Sequence, residues 1–484
     1  MAVKAFCVHA HFYQPPSEDP ITGLIHNEAG AAPFRNWNER IHSECYRPNA
    51  DLGNFGKISF NVGPTLLNWI SEYDPPAYRK IVVQDLENYN THCVGNAMAQ
   101  AYHHTILPLG SRADKITQVR WWLANFEHHF GHKPAGLWMP ETAVDTETLV
   151  VLADCGIQFT ILAPWQIETS QSDPGSAYLI DLPGGRSISV FVYDQDLSTR
   201  ISFDPGATIN ADVFAGDIIS TKYPTHNASD ITQKFLMVSS DGELYGHHQP
   251  FRDKFLQRLL SHSIYEQKLE LAYPGLWLKL NPPIQHATIL ENSSWSCHHG
   301  VKRWMGECGC TPGSKWKAPL RRALNRLAAA LDKIYLEATR PYAPDPWELR
   351  HAYIDVRLGK LDVSELVYKV IGQHLDYDEL RRFALLLDAK YERQRMFTSC
   401  GWYFDDFDRI EPRNNIAYAA QAVWLTKLAT GIDLTGDVLA QLKNVSSQRS
   451  GLKGDAVFTT MYRKISSSYE TTDPALKAFM SQSI

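Results

Sequence analysis

The chain has 484 residues, of which 44% are hydrophobic and 21% are charged, and its formal net charge is −6. This composition is typical of a soluble globular protein, and the length favours one large domain with a second beside it. No run of Lys or Arg would follow a phosphate backbone, which argues against nucleic acid as a partner. No stretch reaches the roughly 18 apolar residues of a membrane span, and the N-terminal sequence lacks the features of a signal peptide. We therefore expect a cytoplasmic protein with no membrane partner, whose oligomeric state the sequence does not indicate.

The first three hundred residues alternate short strand-like runs with helical segments. The predicted strands cover residues 4–9, 57–62, 136–139, 159–162, 187–193, 235–239 and 287–290, and helices are predicted at 115–130 and 146–154. Alternating strands and helices favour parallel strands joined by crossovers. About seven strands over this length favour a barrel over an open sheet, although the pattern alone leaves both open.

Polar residues follow five of the predicted strands. They are His9 and His11 after the first, then Glu141, Asp194, Asp241 with Glu243, and Glu291. In parallel α/β barrels, the chemistry lies at the carboxyl ends of the strands. These residues are therefore the first candidates for a catalytic site.

The pattern changes after about residue 311. Leu320, Leu324, Leu327, Leu331 and Ile334 are spaced by four, three, four and three residues, which places them on one helix face. Residues 379–397 and 414–430 also predict helices. The sequence thus predicts a catalytic barrel domain over residues 1–311 and an α-helical C-terminal domain over 312–484.

Glu141 and Asp241 are the best pair of carboxylates, because each directly follows an apolar run. Cleavage of a glycosidic bond needs two such groups: one protonates the leaving oxygen, and the other attacks the anomeric carbon or activates water. Helix capping or simple exposure in a loop would also explain each residue. Glu243 is the rival for the acid.

Two groups of residues could instead bind a metal ion. His9 and His11 share one face of a strand, as in a metal-dependent barrel hydrolase, although they could equally bind substrate. Cys297, Cys308 and Cys310 lie close together in the sequence beside His298 and His299. Their Cys-x-Cys spacing is tighter than that of a usual zinc knuckle, so we expect reduced thiols without metal.

Five tryptophans could belong to the core or provide platforms for sugar rings: Trp121, Trp122, Trp138, Trp295 and Trp304. Trp138 and Trp295 flank the predicted carboxylate site and are the better platform candidates. Trp121 and Trp122 lie within a predicted helix and are better explained as core.

Several stretches together resemble glycoside hydrolase family 57, whose members act mainly on α-glucans. The matching stretches are HAHFYQPP, AYHHTILPL, GLWMPE, SSDGELYG and ENSSWSCHHGVKRW, which occur in the expected order between residues 5 and 304. The first contains a Phe-Tyr insertion, and the last is unusually rich in Cys and His. The chain therefore resembles a divergent bacterial branch of the family, described as amylase-like or α-mannosidase-like.

This resemblance implies a (β/α)7 TIM-like barrel, a retaining mechanism and no metal or other cofactor. It implies Glu141 as nucleophile and Asp241 as general acid/base. The predicted substrate-binding residues are His9, His11, Gln14, His104, Trp138, Glu243, His247, Trp295 and Trp304. The implied substrate is an α-linked glucan or maltooligosaccharide. Hydrolysis, 4-α-glucan transfer and branching all remain open, as do the metal-dependent hydrolase and a non-catalytic glucan-binding protein.

Overall fold

A computed structural model describes residues 4–19, 21–169, 177–223 and 234–469. The chain forms two compact units. The first contains Met1–Gln14, Asn27–Ala101 and Phe126–Trp295; the second contains Pro15–His26, Tyr102–Asn125 and Ser296–Ile484. The predicted domain boundary after residue 311 stays a prediction. Among the described residues, no helix combines the length and the apolar character that a membrane span requires.

The first unit contains eleven strands in the described part of the chain. They are β1 Lys4–Phe12, β2 Ser59–Val62, β3 Ala99–Gln100, β4 Leu137–Trp138, β5 Phe159–Leu162, β6 Ile167–Glu168, β7 Ala177–Leu182, β8 Arg186–Val192, β9 Lys234–Asp241, β10 Glu270–Leu271 and β11 His286–Ile289. The strand predicted at 159–162 has the predicted bounds. The first strand is longer than predicted, so His9 and His11 lie within β1 rather than after it.

Parallel pairing connects most of these strands in order. β9 pairs with β1 and β1 with β2, while β3 pairs with β4 and β5 with β8. Parallel bridges join Phe60 to Ala97 and Gly136 to Phe159, which link β2 towards β3 and β4 towards β5. The Asp194 amide donates to the Met237 carbonyl at 2.7 Å, which links the end of β8 to β9.

The strand predicted at 287–290 does not join this parallel series. It forms β11, which pairs with β7 in parallel and with β6 in antiparallel orientation. The β7 and β8 strands form an antiparallel hairpin across the Gly184-Gly185 turn, where both glycines have positive φ angles. The antiparallel pairs thus involve β6 and β7, which were not among the predicted strands, and a short glycine turn rather than a helix connects β7 to β8.

Helices alternate with strands along much of the first unit and make up most of the second. The α-helices of the first unit are Trp37–Ile41, Arg47–Asp51, Pro64–Tyr73, Pro75–His92, Thr146–Asp154, Gln195–Phe203, Ala211–Val213, Arg252–Arg258, Ile264–Glu266 and Pro274–Leu280; those of the second are Lys317–Thr339, Pro346–Ala352, Ile354–Arg357, Val363–Ile371, Tyr377–Arg395, Ile410–Thr430, Thr435–Leu442 and Gly454–Tyr469. Arg112–Phe130 begins in the second unit and ends in the first. The helix predicted at 146–154 has the predicted bounds, and the leucine face lies on Lys317–Thr339.

Two polar residues at predicted strand ends accept hydrogen bonds from amides in the first turn of a helix. Asp194 accepts a hydrogen bond from the Leu197 amide at 2.9 Å and starts the helix Gln195–Phe203. Glu291 accepts from the Thr146 amide at 3.0 Å, at the start of the helix Thr146–Asp154. Capping satisfies amides that have no partner within the helix. Neither carboxylate therefore requires a catalytic explanation.

The core of the first unit brings side chains from many strands together. Its central buried cluster contains Ala5, Cys7, Met98, Trp138, Phe159, Ile161, Phe191, Phe235 and Met237, which come from β1, β4, β5, β8 and β9 and from the residue before β3. Side chains on one face of successive parallel strands pack together in this way. His11, Glu141 and Asp241 lie at or just after the carboxyl ends of β1, β4 and β9.

Candidate active site

Glu141 lies on a strained turn just after β4. Its backbone has φ 58° and ψ 19°, and Thr142 follows with φ 48°. Such angles cost a non-glycine residue about 1–3 kcal/mol and persist only where surrounding contacts hold them. Gln166 provides two contacts: its Oε1 accepts from Thr142 Oγ1 at 2.7 Å, and its Nε2 donates to the Thr142 carbonyl at 2.8 Å. The backbone of Glu141 is therefore tightly positioned.

Trp295 fixes both ends of Glu141. The Trp295 amide donates to the Glu141 carbonyl at 3.0 Å, and its indole Nε1 donates to the Glu141 carboxylate at 3.2 Å. A hydrogen bond to a charged group is stronger than a neutral one. The indole thus orients the carboxylate, and its partly buried ring lies beside it.

Asp241 is the last residue of β9. In register, it lies opposite His11 of β1. The residue reaches solvent, yet surrounding protein atoms remove part of its hydration; this loss, together with the negative charge of Glu141, raises the pKa of Asp241 to about 7. Asp241 makes no capping hydrogen bond to the turn that follows it. It therefore differs from Asp194, which is a helix cap.

Glu243 is buried two residues further on. Its Oε1 accepts from the Tyr46 hydroxyl at 2.7 Å and from the Tyr13 amide at 3.2 Å, and Gln14 donates to the Tyr46 hydroxyl at 2.9 Å. Burial, followed by the charge of Asp241, raises the pKa of Glu243 to about 8 despite these donors. Glu141, Asp241 and Glu243, called the carboxylate site below, therefore interact through their charges.

The imidazoles of His9 and His11 stack on Trp138. Their ring centroids lie 4.7 and 5.2 Å from the indole, with interplanar angles of 21°. Burial lowers the pKa of His9 to about 3, with the His11 charge adding to the decrease, and burial lowers that of His11 to about 4. Both imidazoles are therefore neutral at neutral pH.

The two predicted sugar platforms, Trp138 and Trp295, differ in burial. Trp138 is 0% exposed, and a covered ring cannot stack on a sugar, so the structure argues against the platform role predicted for it. Trp138 instead supports the two imidazoles. Trp295 contacts Trp138 edge to face at 5.0 Å and is only partly buried, so it keeps surface for a ligand.

Sequence reasoning missed several polar residues that support this site. Asn61 donates to His11 Nδ1 at 2.9 Å and to Gln100 Oε1 at 2.6 Å. The Asn61 side chain was open to prediction, because it is a polar residue near the end of an apolar strand. Tyr46 and Gln166 gave no such signal, since they lie far in sequence from the residues they contact.

The other predicted substrate-binding residues are placed differently. His247 pairs through Nδ1 with Glu44 in the first unit. His104 and Trp304 belong to the second unit. His104 Nδ1 lies 2.7 Å from the Ser399 hydroxyl, and Trp304 is fully buried on the turn Lys302–Trp304. The predicted roles of His104 and His247 stay predictions. Trp304 is covered like Trp138, so the same argument applies against a stacking role for it. Trp121 and Trp122 are fully buried, as expected for core residues.

Neither His9 nor His11 belongs to a metal-ligand group in the described part of the chain. Among the described residues, one group brings three or more His, Cys, Asp or Glu ligand atoms close together. It consists of Cys297, His299, Cys308 and Cys310 in the second unit. His9 Nδ1 lies 2.9 Å from the Ser59 hydroxyl instead. The geometry therefore gives no support to the metal-dependent hydrolase built on the two histidines.

Comparison with known families agrees with this geometry. The family described as glycosyl hydrolase family 57 matches residues 36–283, just over half of the chain. The chain belongs to glycosyl hydrolase family 57. A second family, described as a domain of unknown function (DUF3536), matches residues 313–472.

The curated relatives are distant from this chain. Alpha-amylase 1 of Dictyoglomus thermophilum is 23% identical over 231 residues, which are 46% of this chain and 31% of the amylase. The chain spans less than half of the length of the curated α-amylases it matches.

Solved structures show the same fold at low identity. An exo-type maltose-forming amylase from Pyrococcus sp. ST04 matches with a TM-score of 0.73 and 16% identity, covering 95% of this chain and 88% of that one. A family 57-type branching enzyme from Pyrococcus horikoshii matches with a TM-score of 0.58 and 15% identity, covering 95% and 97%. The predicted family and α/β fold class are therefore confirmed.

Proposed function

We propose that this chain is a retaining glycosidase or transglycosidase that acts on α-linked glucans. The observation that carries the proposal is the electrostatic coupling of Glu141 and Asp241 at the ends of β4 and β9. The coupling helps to keep Asp241 protonated near neutral pH, while an indole donor orients Glu141. Cleavage of a glycosidic bond needs two such groups: one proton donor, and one ionised carboxylate held in place by hydrogen bonds.

Asp241 is the proposed general acid/base. Its pKa of about 7 lets it carry a proton at neutral pH, give it to the leaving glycosidic oxygen, and later remove one from the incoming hydroxyl. Glu243 is the weaker candidate, because it is 6% exposed and already accepts hydrogen bonds from Tyr13 and Tyr46. We propose that Glu243 positions neighbouring groups or binds substrate.

Glu141 is the proposed nucleophile. Its oxygen attacks the anomeric carbon as the leaving group departs, and a glycosyl-enzyme forms that water or a sugar hydroxyl then resolves. The rigid turn held by Gln166 and the Trp295 indole support this role, because attack requires a carboxylate fixed in position. We expect the two carboxyl groups to lie roughly 5–5.5 Å apart when substrate is bound, as retention requires.

We also propose that the first unit is a (β/α)7 barrel. The pairing order β9-β1-β2, β3-β4 and β5-β8, together with the bridges and the hydrogen bond between β8 and β9, returns to its starting strand. The buried cluster of inward side chains supports this closure. The helical domain at 312–484 is likewise proposed, on the basis of the helices between Lys317 and Tyr469.

A cytoplasmic location is proposed from the cysteines. All eight lie among the described residues, and no disulfide joins any two of them. Disulfides are rare in the reducing cytoplasm and common outside it.

Product analysis tests the proposed function. The wild-type chain is incubated with maltooligosaccharides and amylose, and the anomeric configuration of the first products is followed by proton NMR, with debranching used to detect new α-1,6 linkages. We expect α-anomers first, with longer products or branches if a sugar is the acceptor. Glu141→Gln, prepared identically, controls for contaminating amylase. Initial β-anomers, or equal activity in both preparations, would refute the proposal.

A further inference from the structure

We propose that Cys297, His299, Cys308 and Cys310 bind one structural zinc ion. These residues, called the Cys/His cluster below, belong to the second unit, and the proposal is independent of the glycosidase chemistry. Their four ligand atoms all lie within 4.8 Å of one another. A set of three thiols and one imidazole is a common ligand set for structural zinc.

The separations fit the edges of a tetrahedron. With Zn–S bonds of about 2.3 Å and Zn–N of about 2.0 Å, two sulfurs lie about 3.8 Å apart and a sulfur and a nitrogen about 3.5 Å apart. Cys297 Sγ lies 3.8 Å from Cys308 Sγ and 3.7 Å from Cys310 Sγ. His299 Nδ1 lies 3.5 Å from Cys310 Sγ and 3.9 Å from Cys297 Sγ. One ion can therefore contact all four atoms.

The Cys-Gly-Cys segment makes a compact ligand turn. The Thr311 amide donates to the Cys308 carbonyl at 2.9 Å, which closes the turn. A Cβ atom at Gly309 would lie 3.2 Å from the His299 ring, which is a tight contact, so glycine lets the turn pass closely against this imidazole. The tight Cys-x-Cys spacing, which argues against zinc in the sequence, is thus compatible with two converging ligands.

Amides also point at the sulfurs. The backbone N–H groups of Cys310 and Thr311 donate to Cys308 Sγ, and that of His299 donates to Cys297 Sγ. The Thr311 hydroxyl lies 3.9 Å from Cys308 Sγ and accepts from Lys317 Nζ at 3.3 Å. Donors around thiolates stabilise their charge and orient them towards a metal ion.

Neither disulfide bonding nor simple packing explains the cluster as well. The sulfur separations of 3.7–3.8 Å are far from the roughly 2.05 Å of a disulfide. Cys297 and Cys308 are each 3% exposed, whereas His299 is exposed and Cys310 is partly so, which leaves a route for the ion. Because four protein ligands fill a tetrahedral shell, the site is structural rather than catalytic.

Metal content and metal spectroscopy test the proposal on the full chain. The protein is expressed with zinc and purified under reducing conditions without chelator, and zinc is measured by mass spectrometry. We expect about one zinc per chain, and X-ray absorption showing three sulfurs at about 2.3 Å and one nitrogen at about 2.0–2.1 Å. Cobalt substitution provides a second readout, because a tetrahedral thiolate site gives intense visible absorption.

Matched variants locate the ion. Cys308→Ser and His299→Ala should each lose most of the bound zinc and the cobalt spectrum. Cys93→Ser, at an exposed cysteine, and His298→Ala, beside the cluster, should retain both. Circular dichroism confirms that a variant is folded; if Cys308→Ser unfolds, the cobalt spectrum of the wild type decides. Zinc below about a tenth of an equivalent in folded wild type, no cobalt spectrum, or full zinc in folded Cys308→Ser would overturn the proposal.

Discussion

The carboxylate site and the Cys/His cluster both bring repelling groups together, but the repulsion has different consequences. At the carboxylate site, the negative charge of Glu141 helps to keep a proton on Asp241. At the Cys/His cluster, a divalent cation would neutralise the thiolates and convert the repulsion into bonds. The carboxylate site thus lowers the stability of the folded protein but keeps a proton available for transfer, whereas metal binding at the Cys/His cluster would raise the stability.

This difference predicts which property each site controls. Changes at the carboxylate site should lower turnover and leave the metal and the fold intact. Changes at the Cys/His cluster should remove the metal and lower the thermal stability first. The following predictions test this separation, from the largest expected effect to the smallest.

The largest effect is expected for Glu141→Gln. Removal of the nucleophile should abolish measurable turnover on glucans and on activated glycosides, a loss beyond the roughly 10²–10⁴-fold of a missing general acid. Azide should restore activity on an activated glycoside and give the inverted glycosyl azide. The zinc content should equal that of the wild type.

Substantial residual activity in Glu141→Gln, without azide, would contradict the assignment of the nucleophile. Loss of zinc in the same variant would contradict the separation of the two sites. Cys308→Ser is the reciprocal comparison: it should lose zinc and melt at a lower temperature than Glu141→Gln, because the metal contributes to folding.

The second effect concerns Asp241→Asn. Loss of the acid should lower kcat roughly 10²–10⁴-fold on a natural glucan, and less on a substrate whose leaving group needs no proton. In the wild type, kcat/KM should fall as the pH rises above about 7, because Asp241 then loses its proton. Steady-state rates across pH with both substrate types provide the measurement.

Two results would reassign the acid. Equal losses on both substrate types in Asp241→Asn would show that it does not protonate the leaving group. A larger, leaving-group-dependent loss in Glu243→Gln would transfer the role to Glu243, whose pKa is also raised, to about 8.

The third effect concerns the indole that orients Glu141. Trp295→Phe removes the 3.2 Å hydrogen bond to the carboxylate but keeps an aromatic ring. A hydrogen bond to a charged group contributes about 1.5–3 kcal/mol, so kcat should fall roughly ten- to hundred-fold. Trp165→Phe, which removes an indole donor to the Ser294 carbonyl, is the matched control and should change kcat much less. An unchanged kcat in Trp295→Phe would exclude the positioning role.

Short-range features of this fold were predictable from the sequence. The strand at 159–162 and the helix at 146–154 have their predicted bounds, because apolar run length and the cap at Asp145 are local signals. Two-residue strands such as β3 and β10 were missed, since so short a strand is defined by its neighbour rather than by its own residues. A polar residue after a strand has more than one explanation: Asp194 caps a helix, and Glu291 accepts a hydrogen bond from the first amide of the helix that Asp145 caps.

The residues of the candidate site likewise divide into those that local sequence signals reveal and those that they do not. Glu141, Asp241 and Trp295 were accessible as ordered motifs along the chain. Tyr46 and Gln166 were not, because their contacts join residues that are distant in sequence. The residues of the Cys/His cluster are close in sequence, and the expectation of metal-free thiols stays a prediction; the turn that Gly309 allows is what the spacing alone did not include. Rules for the sequence spacing of metal ligands describe the common turns, whereas the convergence of ligand atoms depends on the turn that the chain actually forms.

The smallest effect is a gain of stability in Asp241→Asn. The folded-state pKa of about 7 lies above the unfolded value of about 3.9, so the folded protein holds this proton more tightly. Protonated Asp241 makes its whole contribution to the free energy of unfolding below pH of about 4, and this contribution is lost as the pH rises towards 7. The side chain in Asp241→Asn does not ionise, so the variant avoids this loss of stability at higher pH. The melting temperature of the variant should exceed that of the wild type at pH of about 8 and approach it at pH of about 4. Asp437→Asn, at an exposed helix position, controls for the lost charge. Equal shifts at both pH values, or destabilisation at the higher one, would show that Asp241 is not held against its own ionisation.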